Sequence, residues 1–333
     1  MSNKKVVATI WPASEWEEML KKILPYVAIA RMNMSHGTHT EHQAKIERVR
    51  EYSNDTEILI DLQGPKIRLW KFPEWPVNYR AWECTHLIYD KENLNNCDKH
   101  HLYVSIPHLI TDLKEWDVLL FNDWYLSAKV LEKREDNRLY IEILNDWVLS
   151  SNKWVNTSTA SLSVDPLTEK DLADLEFWVS HNPEYVALSF VRDAQDVRRL
   201  RELLNWYNSN AKIIVKIERH EAIKNLDEII AETDVVMIAR WDLWVEVDQL
   251  DLPRLQLEIL EKSKKAWKPC IWATQVLESM INVPRPTRAE LTDVYTAITS
   301  WSDYTMLSGE SAGWNYPYES VKLMADMWER YGK

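Results

Sequence analysis

Acidic and basic side chains stand at the ends of two short apolar runs in the second half of the chain. Lys216 and Glu218 end the first run, and Arg240 and Asp242 follow the second. Mg²⁺ is held by a few carboxylates and completes its shell with water and phosphate oxygens. Phosphoryl transfer needs positioning and charge stabilisation, which Lys and Arg supply. These residues therefore indicate a magnesium and phosphate site; the alternative is a set of solvated ion pairs at a polar edge.

The elements that must position these side chains are short β-branched runs, most of them followed by a helical pattern. Continuous apolar strands that alternate with helices predict a parallel sheet covered on both faces. Eight such units indicate an α/β fold of the closed (β/α)8 TIM-barrel type, whose chemistry lies at the carboxyl ends of the strands. An open doubly wound sheet is the alternative. The predicted strands are Val6–Ile10, Val27–Met32, Glu57–Leu62, Tyr185–Phe190, Lys212–Ile217, Val235–Ala239, Pro269–Ala273 and Tyr304–Leu307.

Helical patterns accompany these strands. Ser14 with Glu17 three residues later has the pattern of a capping box, so we expect the first helix to begin at Ser14. The predicted helices are Ser14–Leu24, His39–Tyr52, Glu169–Ser180, Ala194–Leu204, Glu221–Glu232, Pro253–Ala266, Arg288–Ser300 and Tyr318–Tyr331.

The strand–helix rhythm is interrupted for about ninety residues after the third strand. This stretch, 69–162, contains the strand-like runs Val118–Phe121, Leu126–Leu131 and Leu139–Leu144, the last two separated by turn residues at 135–137. Without it the chain has 239 residues, close to the ~250 typical of a TIM barrel. We therefore predict a small β-barrel domain over 69–162, inserted between barrel segments 1–68 and 163–333.

Composition excludes several classes of function. The net charge of -12 argues against nucleic acid or an anionic membrane as a partner, because both need a basic face. The apolar run Val6–Ile10 is too short for a signal peptide, and no stretch has the length of a membrane span. Three scattered cysteines, Cys84, Cys97 and Cys270, give no disulfide framework or zinc site. A cytoplasmic location is expected.

The chain resembles the pyruvate kinase family over almost its whole length, on a series of motifs that occur in order. The match is most specific at the segments Ala273–Met280 and Pro284–Glu290. The other matching segments are Lys5–Ser14, Ala30–Gly37, Asp61–Arg68, Lys216–Glu218, Ile238–Trp244 and Met306–Glu310. The resemblance implies phosphoryl transfer from phosphoenolpyruvate to ADP, which gives pyruvate and ATP.

The resemblance also implies a role for each site residue. Glu218 and Asp242 would hold Mg²⁺ or Mn²⁺, and Lys216 would stabilise the phosphoryl group in transfer. The other implied roles are phosphate binding by Arg31 and Arg68, a place for Thr274 near the enol carbon that gains a proton, and binding of the substrate carboxylate by the backbone amides of Trp241 and Asp242. The inserted domain would act as a lid that excludes water, with Asp123 at its edge.

A monovalent-cation site is implied at Asn33, Ser35, Asp61 and the carbonyl of Leu62. Lys66 stands where many potassium-dependent members have Glu. An ammonium there can replace the charge of K⁺, so we predict that the protein does not require potassium.

Two further departures from the family concern side chains and length. Gly313 stands where many members have Lys. The chain ends after the eighth helix, without the usual C-terminal domain of the family. Allosteric control by a sugar phosphate is therefore not expected. The sequence does not decide whether the protein forms a homo-oligomer.

Tryptophan is abundant and glycine scarce, with 18 Trp and 5 Gly. Glycine serves where φ is positive or where the backbone approaches a ligand, so an indole at position 241 would intrude on the substrate carboxylate. Some bacteria read the codon UGA as glycine and others as tryptophan, so the sequence is explained if glycine UGA codons were translated as Trp. Tryptophans that stand at glycine positions of the family are Trp11, Trp70, Trp124, Trp154, Trp241, Trp244, Trp267 and Trp314, with Trp116, Trp178 and Trp301 as weaker cases and Trp75, Trp82 and Trp147 in turn-like contexts.

Two competing functions follow from the same residues. If the tryptophans are real, the chain is a non-catalytic barrel retained as a scaffold, although a scaffold need not keep Lys216, Glu218, Asp242, Arg31 and Thr274 together. A different phosphoenolpyruvate or pyruvate barrel enzyme, such as an aldolase, is the third possibility, and the inserted β domain argues against it.

Overall fold

The structure is a computed structural model that describes residues 4–73, 75–92, 95–134, 137–313 and 315–332. The chain divides into two compact units. The first unit comprises Met1–Gly64, Pro166–Leu243 and Leu250–Lys333, and the second comprises Pro65–Asp165 and Trp244–Gln249. The predicted insertion at 69–162 and its two flanking segments stay predictions of domain organisation.

Eight parallel strands of the first unit form a closed barrel, in the hydrogen-bonded order β1-β16-β15-β14-β13-β12-β3-β2. This confirms the predicted TIM-type α/β fold. The strands in the described residues are β1 Val6–Thr9, β2 Val27–Asn33, β3 Glu57–Asp61, β4 Val77–Tyr79, β5 Cys84–Ile88, β6 His101–Tyr103, β7 Val118–Phe121, β8 Leu126–Arg134, β9 Arg138–Ile143, β10 Trp147–Leu149, β11 Val155–Thr157, β12 Tyr185–Leu188, β13 Lys212–Ile217, β14 Val235–Ala239, β15 Cys270–Ala273 and β16 Tyr304–Leu307.

The helices lie mostly where the periodicity predicts them. They are α1 Glu17–Ile23, α2 His39–Tyr52, α3 His108–Asp112, α4 Glu169–Val179, α5 Ala194–Trp206, α6 His220–Lys224, α7 Leu226–Glu232, α8 Arg240–Glu246, α9 Leu252–Lys265, α10 Arg288–Thr299, α11 Gly309–Ala312 and α12 Pro317–Tyr331, with short 3₁₀ helices at Pro12–Ser14, Leu24–Tyr26 and Glu278–Ile281.

Two helix predictions are wrong. The first α-helix begins at Glu17, because the Ser14 hydroxyl donates to the carbonyl of Thr9 at 3.2 Å and closes a 3₁₀ turn instead of capping. The single helix predicted over 221–232 is two helices, since Asn225 interrupts it and donates from its side chain to the carbonyl of Arg192 at 2.9 Å.

Three helices that surround the barrel begin at capping boxes formed by threonine. The Thr hydroxyl accepts from the third residue of the helix, whose carboxylate in turn accepts from the Thr amide. This reciprocal pair satisfies donors that a helix start leaves open. The pairs are Thr38 with Glu41, Thr168 with Asp171, and Thr287 with Glu290.

The barrel interior is filled by apolar side chains from all eight strands. Val7, Leu59, Ile214 and Met237 belong to this core and have no exposed surface. Strands β1, β12 and β14 are buried at every position, as expected for parallel strands with helices on one face and the core on the other. The core therefore fixes the strands, and their polar carboxyl ends are free to form a site.

The second unit is β-rich, as predicted. Its strands form a six-stranded sheet in the order β11-β7-β8-β9-β5-β6 and a two-stranded sheet of β10 and β4. Strand β8 alternates buried and partly buried residues over its first six positions and runs three residues beyond the predicted end at 131. Of the predicted turn at 135–137, Asn137 has a φ of +59°, and residues 135 and 136 lie outside the described residues.

Four tryptophans have backbone conformations that favour glycine. The φ angles are +72° at Trp82, +77° at Trp116, +58° at Trp267 and +75° at Trp301. A bulky residue with positive φ is a steric outlier, whereas glycine adopts this region at no cost.

Two of these four tryptophans end helices in Schellman motifs, where the left-handed residue is usually glycine. After α9, the amide of Trp267 donates to the carbonyl of Lys264 at 3.0 Å, and the amide of Lys268 donates to that of Ser263 at 2.9 Å. Trp301 closes α10 with the same pair of bonds. The backbone conformation at positions 267 and 301 therefore favours glycine, although the sequence has tryptophan there. Trp314 lies outside the described residues.

No helix of the described residues combines the length and the apolar character that a membrane crossing requires.

Candidate active site

A cluster of charged side chains lies at the carboxyl ends of neighbouring barrel strands. Arg31 belongs to β2, Asp61 ends β3, Lys216 belongs to β13 and Glu218 follows it. Because parallel strands present their carboxyl ends to one face of the barrel, residues far apart in sequence converge there. The structure brings all four together in direct ion pairs.

Arg31 is held rigidly by buried partners. Its Nε and Nη2 lie 2.7 and 2.6 Å from Asp61 Oδ2, and its Nη1 donates to Thr9 Oγ1 at 2.8 Å. The Thr9 hydroxyl in turn donates to the carbonyl of Leu307 at 3.0 Å, so its lone pairs face the guanidinium. A cavity of about 240 Å³ lies beside Arg31 and is bounded by Trp11. A fixed guanidinium beside a cavity suits recognition of phosphate oxygens.

Lys216 is surrounded by acidic groups. Its Nζ lies 3.3 Å from Glu218 Oε2 and 3.6 Å from Asp61 Oδ1, and it donates to Ser189 Oγ at 2.8 Å. Burial by itself lowers the pKa of Lys216, but the negative charges of Asp61, Glu218 and Asp242 outweigh it, so the pKa is raised. Lys216 therefore carries a full positive charge in the site.

Glu218 has one oxygen that accepts a hydrogen bond and one that is held by an ion pair alone. Its Oε1 accepts from the amide of Phe190 at 2.7 Å, whereas its buried Oε2 accepts no hydrogen bond from the described part of the chain. Burial and the charge of Asp242 raise the pKa of Glu218, and Lys216 opposes them. The Lys216 ammonium, 3.3 Å away, offsets part of the cost of burying this oxygen, and a divalent cation would offset more of it. With Asp242 following the adjacent strand β14, the donor set fits Mg²⁺ or Mn²⁺.

Helix α8 begins directly after β14 and is anchored by a buried arginine. Arg240 donates to the carbonyl of Ala273 at 3.0 Å and pairs with Asp293 at 2.6 Å. The amide of Trp241 donates to Thr274 Oγ1 at 2.9 Å, and Thr274 has a φ of +62°, a strained conformation of the type found at functional sites. Hydrogen bonds therefore join the start of α8 to the end of β15 and the loop after it, at one edge of the site.

Comparisons with known proteins agree with this geometry. A family model described as "Pyruvate kinase, barrel domain" matches residues 1–321. The pyruvate kinase of Clostridium perfringens is 37% identical over 331 residues, which cover 98% of this chain and 69% of that protein. The chain belongs to the pyruvate kinase family.

Other pyruvate kinases are similar to the chain over the same region. That of Buchnera aphidicola is 37% identical over 329 residues, which cover 96% of this chain and 68% of that protein. That of Sporosarcina psychrophila is 39% identical over 331 residues, or 97% of this chain and 56% of that protein. The chain thus spans little more than half the length of several pyruvate kinases that it matches.

The residues that the pyruvate kinase resemblance assigns to a monovalent cation lie on β2, on β3 and just after these strands. Asn33 pairs with Asp61 across the two strands, and its Oδ1 accepts from the amide of Ser35 at 3.1 Å. The carbonyl of Leu62 accepts from the Ser189 hydroxyl at 2.7 Å. The structure thus brings these residues near one another, and their role toward a cation stays a prediction.

Three predicted residues belong to the second unit, namely Lys66, Arg68 and Asp123. Lys66 Nζ lies 4.5 Å from the ring centroid of Trp154, and the Arg68 guanidinium lies 5.4 Å from the same ring. Arg68 also donates to the carbonyl of Asn152 at 3.2 Å. The roles predicted for these residues toward substrate or cation stay predictions.

Sequence reasoning missed Ser189 and Phe190 as parts of the site. Ser189 follows β12, and its hydroxyl is fully buried between Lys216 and Leu62. The sequence feature that could have identified Ser189 is a polar residue directly after an apolar barrel strand. The same feature identified the site residues at the ends of the other strands.

Proposed function

We propose that this barrel catalyses phosphoryl transfer from phosphoenolpyruvate to ADP. The bond between phosphorus and the enol oxygen breaks, and a bond forms between that phosphorus and a β-phosphate oxygen of ADP. The enolate gains a proton at its methylene carbon, so the products are pyruvate and ATP. The pyruvate kinases that resemble this chain are longer proteins, and the chain matches 56% of the length of that of Sporosarcina psychrophila.

One observation carries the proposal. Glu218 keeps a buried oxygen without a hydrogen-bond donor in the described residues, while the ammonium of Lys216 lies 3.3 Å away. A structural ion pair gains from further hydrogen bonds that satisfy the remaining lone pairs. A buried carboxylate oxygen whose partner is an ion pair and not a hydrogen bond instead suits a site that receives a metal and an anionic substrate.

The roles of the residues follow from their charges and anchoring. Glu218 and Asp242 would hold Mg²⁺ or Mn²⁺, which supplies positive charge to the substrate oxygens when bound. Arg31, fixed by Asp61 and Thr9, orients the phosphate of phosphoenolpyruvate. Lys216 keeps its charge and stabilises the phosphoryl oxygens during transfer. Thr274 is proposed to lie near the carbon that gains the proton.

Binding of the substrate carboxylate depends on the residue at position 241. We propose that the working protein has glycine at 241 and 244, and also at the four tryptophan positions whose backbone is left-handed. The support is that Trp82, Trp116, Trp267 and Trp301 all have positive φ. A strained non-glycine residue costs of order 1–3 kcal/mol, so four of them would consume much of a typical folding stability of 5–15 kcal/mol.

A non-catalytic scaffold is the second candidate, and the observation that favours it is the tryptophan at 241. That residue is partly buried at the start of α8, beside Thr274. If Trp241 is present in the natural protein, the substrate carboxylate lacks room. The scaffold then explains why the fold is retained without turnover.

The test compares two forms of the chain: the sequence as written and a glycine variant. The glycine variant carries Trp→Gly at positions 11, 70, 82, 116, 124, 154, 241, 244, 267, 301 and 314. We expect Mg²⁺-dependent pyruvate formation from phosphoenolpyruvate and ADP with the glycine variant and none with the form as written. No pyruvate from a folded glycine variant would contradict the proposed function and favour the scaffold.

A further inference from the structure

Ser189 is a fully buried hydroxyl in a directed chain of hydrogen bonds. The ammonium of Lys216 donates to Ser189 Oγ at 2.8 Å, and that hydroxyl donates to the carbonyl of Leu62 at 2.7 Å. A serine hydroxyl has a single proton, so donation to Leu62 leaves only lone pairs for Lys216. The hydroxyl is therefore held as an acceptor for the lysine.

The residue after Ser189 holds the acidic partner of the same lysine. The amide of Phe190 donates to Glu218 Oε1 at 2.7 Å, and Phe190 has a φ of +58°. A Cβ at Gly64 would lie 2.6 Å from Phe190 Cδ2, so glycine at 64 makes room for this conformation. Positive φ at a bulky residue costs free energy and persists where the surroundings enforce it. The Ser189 hydroxyl thus holds Lys216, and the amide of the next residue, Phe190, holds Glu218.

We propose that Ser189 is a positioning residue for phosphoryl transfer, an inference that rests on the proposed function. The ammonium of lysine is a point charge on a flexible four-carbon stem. Without Ser189, the ammonium of Lys216 is free to move toward Glu218 and Asp61, where it competes with the divalent cation. With Ser189, the lysine stays at a fixed point between the two carboxylates and keeps its remaining protons for the phosphoryl oxygens.

The first experiment replaces Ser189 in the glycine variant. Because misplacement of a reacting group by about 1 Å can cost ~100-fold, we expect Ser189→Ala to lower kcat about 10- to 100-fold. The KM for phosphoenolpyruvate should change much less, since Arg31 is untouched. Ser189→Thr keeps the hydroxyl and should restore most of kcat. A kcat that Ser189→Ala leaves unchanged would overturn the proposal.

Ser263→Ala is the matched control. Ser263 is also fully buried, and its hydroxyl donates to the carbonyl of Ile259 at 2.8 Å, within helix α9. This variant loses the same kind of bond, so its melting temperature should fall about as much as that of Ser189→Ala while kcat is kept. An equal loss of kcat in both variants would mean that Ser189 acts only through stability.

A second measurement decides the proposal even if the glycine variant makes no pyruvate. Crystal structures of the glycine variant with and without Ser189→Ala should show Lys216 Nζ displaced toward Glu218 or Asp61 in the variant. Mn²⁺ affinity should fall only modestly, because the Phe190 amide still holds Glu218. An ammonium in the same place in both structures would overturn the positioning role. Absence of pyruvate in the unsubstituted glycine variant would instead count against the proposed function.

Discussion

Under the proposed function, Glu218 is placed for a ligand rather than for stability. It is buried, one of its oxygens accepts a backbone amide, and the other faces Lys216 without a hydrogen bond from the described residues. A protein that needed only a stable core would gain by replacing such a pair with apolar groups. The arrangement therefore has a cost in stability that a bound metal would offset.

Removal of the Glu218 charge tests the metal site. Glu218→Gln keeps an oxygen for the Phe190 amide but weakens the ligand for a divalent cation, so the Kd for Mn²⁺ should rise at least about tenfold. Isothermal titration of the glycine variant with Mn²⁺ measures this. Glu261→Gln, on the exposed face of α9, is the control and should bind like the parent. Equal affinity in all three proteins would exclude Glu218 as a ligand.

Lys216→Met tests the charge that we propose stabilises the phosphoryl group. Methionine keeps much of the side-chain length and removes the ammonium, so kcat should fall about 100-fold or more, as for loss of one electrostatic stabiliser. Mn²⁺ should still bind, because Glu218 and Asp242 remain. A variant that binds Mn²⁺ and keeps the parent kcat would contradict the role of Lys216.

At the scale of elements, the barrel strands were predictable because both of their faces are buried. Strands such as β13 and β14 are nearly continuous apolar runs, and the structure begins and ends them at the predicted residues. The strands β4, β6, β10 and β11 were missed, since each has three residues and carries no periodicity. Strand β5 was also missed, because Thr85 and His86 interrupt its apolar residues. Helix α8 was missed because Arg240 and Asp242 were interpreted only as polar residues at the end of a strand.

The site was predictable only in part, for a physical reason. Charged residues at strand ends stand out in sequence, so Arg31, Asp61, Lys216 and Glu218 were named. Ser189 was signalled only by a polar residue after an apolar strand, and Phe190 contributes a backbone amide, which residue type does not reveal. Their roles depend on the path of the chain after β12.

The ends of α9 and α10 give a stability prediction. Trp267→Gly and Trp301→Gly should each raise the free energy of unfolding by about 1 kcal/mol, because glycine relieves the positive φ. The control is Trp206→Gly at the exposed last position of α5, which should lower it by up to about 1 kcal/mol. Urea denaturation measures all three. Loss of stability at 267 and 301 would contradict the account of these helix ends.

At the scale of the whole molecule, stability should depend on pH through a buried histidine. Burial lowers the pKa of His42 to about 4 from its ordinary value of 6.5, although a hydrogen bond to the carbonyl of His36 opposes the shift. Between pH 6.5 and 4 the unfolded chain therefore binds a proton that the folded chain does not. His42 should thus cost stability as pH falls through that window, by about 1.4 kcal/mol per pH unit.

The measurement compares urea unfolding at pH 7 and pH 5 for the parent, His42→Asn and His100→Asn. The His42 variant should lose about 2 kcal/mol less than the parent between the two pH values. His100 is exposed, so its variant should follow the parent. Identical pH dependence in all three proteins would mean that His42 is not held neutral in the fold.

The central claim is that this barrel is a working pyruvate kinase site, and it requires room for the substrate beside the backbone at position 241. The most direct test is a tandem mass spectrum of the natural protein from the cells that carry the gene. The tryptic peptide 241–254 contains both critical positions. The account predicts the residue masses of glycine at 241 and 244. Tryptophan at both positions would contradict it, because the substrate carboxylate would then be blocked and the barrel would be a scaffold.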